Sequence, residues 1–124
     1  MSSRFVRETD YMLVVMQDHI NLAGAKALVE ALIAHPQFER GMRVLWDARS
    51  LTRLELNFDE VREFGKFVGG LRDRRGGGRS ALVANDDTVF GTFRVHQLLN
   101  QTLVSYEFHV FRDFDEAHRW LFDS

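Results

Sequence analysis

Apolar positions along the chain switch repeatedly between an alternating and a helical spacing, and that switching predicts the elements. Arg4 to Glu8 sets Phe5 and Arg7 against Val6 and Glu8, a short strand signal, and Thr9-Asp10 reads as a turn. Tyr11 to Gln17 (YMLVVMQ) is a continuous apolar run of the kind a strand buried on both faces shows. Two runs this close can pair only as an antiparallel hairpin. Asp18 to Asn21 then crosses into a helix whose Ala25, Leu28, Val29, Leu32 and Ile33 recur at three and four residues. That helix stops before Pro36, because the residue ahead of proline is pushed out of the α region. Phe38 is expected to tuck back against the core before Gly41 turns the chain into a central buried strand. The strand carries Met42, Val44, Leu45 and Trp46 and ends at Asp47.

Ala48 to Leu56 keeps neither spacing and reads as a loop or short irregular extension carrying Arg49 and Arg53. Asn57 with Glu60 three residues on has the spacing of an N-cap and its capping-box partner. The helix behind it places Val61, Phe64, Val68 and Leu71 on one stripe, with Phe58 and Phe67 at its margins, and stops at the glycines of RDRRGGGR. Arg79 to Ala84 is a short apolar strand. Asn85-Asp86-Asp87 cap a third helix that runs to about Thr102, with Val89, Phe93 and Leu99 inward. From Tyr106 to Arg112 the chain alternates, with Tyr106, Phe108 and Val110 on one face and Glu107, His109 and Phe111 on the other, as suits an edge strand. Asp113 and Glu116 repeat the capping-box spacing before a last helix carrying Phe114, Ala117, His118 and Leu121. The order is ββαβαβαβα, and the fold class is α/β. A single domain spanning 1–124 is expected, with a mostly parallel five-stranded sheet and an antiparallel N-terminal strand.

Composition narrows the function classes. A chain of 124 residues that is 45% apolar and 27% charged can bury a core without covalent staples. The absence of cysteine leaves no disulfide framework and no thiol nucleophile. The N-terminus has no apolar leader core, and no run approaches the ~18 apolar residues of a membrane span. A net charge of −2 gives no pull toward nucleic acid or an anionic membrane, so a soluble cytoplasmic protein is expected.

The carboxyl edge of the expected sheet collects Asp18, Asp47, Asp86, Asp87 and Asp113, a set of oxygen ligands that could hold Mg²⁺. Helices also need N-caps at Asp86 or Asp87 and at Asp113. Asp47 has no such demand on it, and Arg49, Arg53 and Arg112 are its available ion-pair partners. The residues singled out at this edge are Asp47, Arg49, Arg53, Asn57, Asp86 and Asp113. The glycine triplet lies ahead of a strand and lacks the Lys-Ser/Thr of a phosphate loop, so it reads as a flexible connection with a basic collar of Arg72, Arg74, Arg75 and Arg79. The five histidines show no ligand spacing, and no GxSxG elbow occurs, so no metal, catalytic residue or cofactor is expected. Phe90 and Arg94 sit one turn apart off the inward stripe of the third helix, as interface candidates. Trp46 is expected in the core and Trp120 half exposed.

Three segments, with the element order, resemble the SpoIIAA-like family. They are HPQFERGMRVLWDARSL at 35–51, VFGTFR at 89–94 and VFRDFDEAHRWL at 110–121. Members are small bacterial proteins of STAS-type fold (sulfate transporter and anti-sigma factor antagonist), described as near CRAL-TRIO lipid-binding domains as well. The resemblance covers nearly the whole chain and implies a four-turn βα superhelix; most members have no assigned activity. Anti-sigma factor antagonists carry a phosphorylatable serine in an acidic-Ser-Ser-Gly motif at the start of the helix after the central strand. Counted from Asp47 as the shared aspartate, that motif falls on Glu55, Leu56, Asn57 and Phe58, which keep the acidic residue and lack the serines and the glycine. Ser50 and Thr52 stand at another offset.

The leading reading is therefore a non-enzymatic binding or regulatory module that acts through protein–protein contact, as a homodimer around Phe90 and Arg94 and with a regulatory protein as partner. The alternative is a carrier of a small apolar or lipid-like ligand at the carboxyl edge, resting on Phe58, Phe64, Phe67, Phe90 and Phe93 and on the CRAL-TRIO resemblance. Third comes a phospho-acceptor or Mg²⁺-dependent activity at Asp47.

Overall fold

The chain forms β1 (Ser2–Arg7), β2 (Tyr11–Asn21), α1 (Leu22–Ala34), β3 (Arg43–Glu55), α2 (Phe58–Gly70), α3 (Arg72–Arg75), β4 (Ser80–Val83), α4 (Asp87–Leu99), β5 (Phe108–Phe111) and α5 (Phe114–Phe122). This is a computed structural model, and it describes residues 2–99, 101 and 106–123. The expected end of the third helix near Thr102 falls outside them. The strands lie in the order β1-β2-β3-β4-β5, with β1 antiparallel to β2 and the others parallel. Each crossover leads to the next strand on the same side, so right-handed connections put α1, α2 and α4 on one face. They bury the larger core there, with Met12, Val14, Leu28, Leu32, Val44, Phe64 and Val89 among its members. The C-terminal α5 takes the other face and seals a smaller core of Leu45, Ala81, Val83, Ala117 and Leu121.

Local signals account for the helix starts. Asn21 accepts a hydrogen bond from the Gly24 N–H at 2.8 Å, and Asn57 and Glu60 form the reciprocal capping box expected from their spacing. Asp113 caps α5 through the Asp115 N–H at 3.0 Å, one residue short of the expected Glu116 partner.

The structure corrects several expectations. Ala48 to Leu56 is largely strand: β3 runs on to Glu55 and β2 to Asn21, and the two pair as a ribbon beyond the end of β4. Asp47, expected to end the strand, lies within it, opposite Val15 on β2 and Val83 on β4. Two bulges explain the miss. Gln17 pairs with Ser50 after Val15 has paired with Asp47, and His19 pairs with Arg53 after Asp18 has paired with Leu51. Each step gives β3 one extra residue, so Ala48 and Leu51 are buried three apart and the period of two is lost. Asp18 sits at the second bulge with φ 70°, and its carbonyl accepts from Thr52 Oγ1 at 3.0 Å.

The glycine triplet, expected to be flexible, is a close-packed clasp. A Cβ on Gly76 would lie 2.3 Å from the Gly41 nitrogen, and one on Gly78 would lie 2.2 Å from the Gly41 oxygen. Gly41 N–H donates to the Arg75 carbonyl at 2.9 Å, so two turns distant in sequence are locked where β3 begins. Leu99, expected inward, is exposed, while Val89 and His96 are buried. Helical turns of 3.6 residues from Val89 lead through 93 and 96 to 100, which rotates Leu99 off the stripe. Trp46 packs half-buried against the larger core, and Trp120 is half-buried on α5.

Candidate functional site

Asp47 is buried on the α5 face of the sheet, in a row that runs Arg4, Val15, Asp47, Val83 and Phe111 across the five strands. Residues two apart on a strand face the same way, and Arg49 uses this to grip the carboxylate at both oxygens. Its Nε and Nη2 donate to Oδ1 and Oδ2 at 2.9 Å each, and its backbone N–H donates to Oδ1 at 3.1 Å. The guanidinium also lies 4.7 Å from the centre of the Phe114 ring, on the first turn of α5. Burial raises the Asp47 carboxyl, but the Arg49 hydrogen bonds and the charges of Arg49 and Arg4 outweigh it and hold the group below its ordinary value. The carboxylate is thus ionised at neutral pH with both oxygens engaged.

Asp86, Asp87 and Asp113 are also tied up locally, Asp113 as the cap of α5. Asp86 accepts from the Val89 N–H at 3.0 Å as the α4 cap, and Asp87 pairs with Arg112 at 2.8 Å. Arg53 pairs with Glu55 at 3.1 Å on the exposed ribbon, and Asn57 is committed to its capping box. Among the described residues, no group of three or more His, Cys, Asp or Glu is placed to hold a metal ion. Of the edge residues singled out from the sequence, the structure joins Asp47 to Arg49 and brings both to the start of α5; the remainder serve their own elements.

On α4, Phe90 packs partly against the larger core, and the Arg112 guanidinium covers it at 4.2 Å from the ring centre. Phe90, Arg94 and Leu98 follow one another at four-residue steps, and Leu98 is 58% exposed. Leu98 was not singled out from the sequence, although its spacing from Arg94 was a usable signal. Phe58, at the start of α2, is equally exposed at 58%.

The basic collar splits by role. Arg75 is buried, donating to the Met42 carbonyl at 2.8 Å and Ser80 Oγ at 2.7 Å while stacking on Tyr106 at 4.6 Å. Burial lowers its pKa to about 10, against a smaller opposing effect of Tyr106. Arg79 donates to the Trp120 and Asp123 carbonyls, and Arg43 to the Leu121 carbonyl, so two arginines hold the C-terminal end of α5. Arg40 donates to the Asp73 carbonyl.

Two hollows flank β5. An apolar cavity of about 50 Å³ lies between the sheet and α1, α2 and α4, with Trp46, Phe64 and Phe93 in its wall. A more polar cleft of about 270 Å³ is lined by Gln97, His109 and Trp120. Of the phenylalanines expected to form a ligand pocket, Phe64 and Phe93 line the apolar cavity, whereas Phe58 faces solvent.

No family model matches the sequence, and no curated protein matches it. Among solved structures, the chain is similar to an uncharacterized protein of the DUF3478 family with a SpoIIAA-like fold from Shewanella loihica PV-4. The two are 18% identical with a TM-score of 0.57, over 97% of this chain and 92% of that one. Sheet order, crossover pattern and this likeness agree, and the chain has a SpoIIAA-like, STAS-type fold.

Proposed function

We propose that the protein is a non-enzymatic STAS-type binding module that acts through protein–protein contact along the outer stripe of α4. The observation that carries this reading is the run Phe90–Arg94–Leu98, which combines a half-buried aromatic, a cation and an exposed leucine on one helix face. Aromatic and arginine side chains beside an apolar contact are the composition of interface hot spots. Self-association through this stripe is the first form of contact expected, and docking of a regulatory protein on the same face is the second. The state of Asp47 leaves room for the same reading, because its carboxylate is engaged at both oxygens by Arg49, which in turn lies over Phe114 on α5.

The test is sedimentation of the purified chain at tens of micromolar beside Leu98→Asp. A dimer that becomes a monomer on the substitution, with unchanged far-UV circular dichroism, supports contact through α4. A strict monomer in the parent chain removes self-association, and recovery of a host protein by the parent but not by Leu98→Asp then decides for the regulatory partner.

A further inference from the structure

On the α5 side of the sheet, the hairpin β1–β2 has no covering layer among the described residues, since α5 packs chiefly on β3, β4 and β5. Val6, Leu13 and Val15 face this side, alternating with Phe5, Met12 and Val14 on the other. Leu13 reaches the smaller core, whereas Val6 and Val15 pack against neither core. A solvated face of an antiparallel pair carries polar residues at its outward positions, and this one does not. The run YMLVVMQ has the composition of a strand buried on both faces, and the chain itself fully buries only one. From this uncovered apolar face we propose that β1–β2 docks an amphipathic helix of a partner protein beside α5, with basic residues at one end of that helix and acidic residues at the other.

Shape selects a helix. Two strands about 5 Å apart present a floor roughly 10 Å wide, which is the diameter of a helix. Tyr11 meets His118 and Phe122 edge-on, at 5.2 and 5.9 Å between ring centres, and so joins that floor to the flank of α5. The result is a trough with β1 and β2 below and α5 along one side.

Charge selects what the helix carries. At the hairpin end an open cleft of about 1060 Å³ is lined by Glu8, Asp10, Glu116 and Asp123, with Arg119 as its one guanidinium. Arg4 stands at the far end of the apolar strip, opposite Val15. Among the described residues, neither Arg4 nor any of the four carboxylates has an ion-pair partner. Arg4 and Glu8 are separated by about 14 Å of strand, a distance that about nine residues of helix span. A helix with cations at one end, anions at the other and an apolar stripe between them matches all three parts of the face.

The trough lies on the opposite side of the sheet from α4, so this proposal and contact through α4 can fail separately. The probe is a fluorescein-labelled, alanine-based peptide of about four turns, with leucines at i, i+3, i+4 and i+7, lysines in one end turn and glutamates in the other. Anisotropy against the purified chain is expected to show saturable binding at least tenfold tighter than that of a scrambled peptide of the same composition. Val15→Asp, and Val6→Lys as a second variant on the edge strand, are each expected to weaken binding at least tenfold with unchanged far-UV circular dichroism. Glu8→Lys is expected to weaken it severalfold and to gain a matching preference for a peptide with glutamates in both end turns. Binding no tighter than that of the scrambled peptide overturns the proposal, as does an affinity indifferent to Val15→Asp and Val6→Lys in folded protein. A parent chain that sediments as a dimer and is dissociated by Val15→Asp also overturns it, by assigning the face to a second copy.

Discussion

At the scale of single residues, the decisive side chain is Asp47, and what decides its role is Arg49 two positions on. A carboxylate at a sheet edge with open lone pairs would be a ligand or an acceptor, but here both oxygens already accept charge-assisted hydrogen bonds. Asp47→Asn keeps the shape and removes the charge, and it is expected to cost roughly 1–2 kcal/mol, between an exposed and a fully buried pair. Because the folded carboxyl is held below its ordinary value, its contribution is present above the unfolded pKa of about 4 and is lost as pH falls through the lower folded value. Urea melts of parent and variant should therefore differ at pH 7 and converge at strongly acidic pH. A difference that persists in acid would assign the effect to packing. The Asp47–Arg49 partnership was one of three arginine pairings open in the sequence; strand periodicity allowed it, and the bulge that aims the Arg49 N–H at Oδ1 selected it.

At the scale of elements, contacts between residues close in sequence were legible and contacts across the chain were not. Asn57 and Glu60 showed their capping box because both partners lie within one turn. The β2–β3 ribbon stayed hidden because two bulges erase the alternation by which a strand is recognised, leaving Ala48 and Leu51 buried at a spacing that belongs to no regular element. The glycine clasp was equally invisible, since Gly41 and Gly76 meet only once β3 and β4 are side by side. Gly41 has φ 85° with open space at its Cβ position, so Gly41→Ala should cost about 1–2 kcal/mol of left-handed strain. Gly76 has φ 81° and also faces the Gly41 backbone at 2.3 Å, so Gly76→Ala should exceed that cost, by at least about 2 kcal/mol. Chemical denaturation of the two variants checks the order, and equal losses would dissolve the clasp.

For the whole molecule, the two faces of the sheet are covered unequally, and the larger core holds a titratable ring. His96 is buried between Phe64 and Phe108, and burial lowers its pKa to about 4. A histidine depressed on folding stabilises the native state above its unfolded pKa near 6.5, and that stability is lost as pH falls through the folded value. The shift corresponds to about 3 kcal/mol, accumulating between pH 6.5 and 4. His96→Leu should flatten that slope in stability measured by urea at successive pH values; an unchanged slope would place the acid sensitivity elsewhere.

The sequence by itself determined the alternation of strands and helices apart from the short α3, the caps at Asn57, Asp86 and Asp113, and the inward stripes apart from Leu99, because these follow from spacings of one to four residues. Only the tertiary structure decided where β3 ends, what Asp47 and Arg75 hold, and which glycines touch. Those outcomes depend on pairing register and on close approach between segments more than thirty residues apart, which no local pattern encodes. The same division runs through function: Phe90, Arg94 and, one turn further on, Leu98 share a spacing legible on a helix face, while the packing of His96 against Phe108 emerged once α4 lay beside β5.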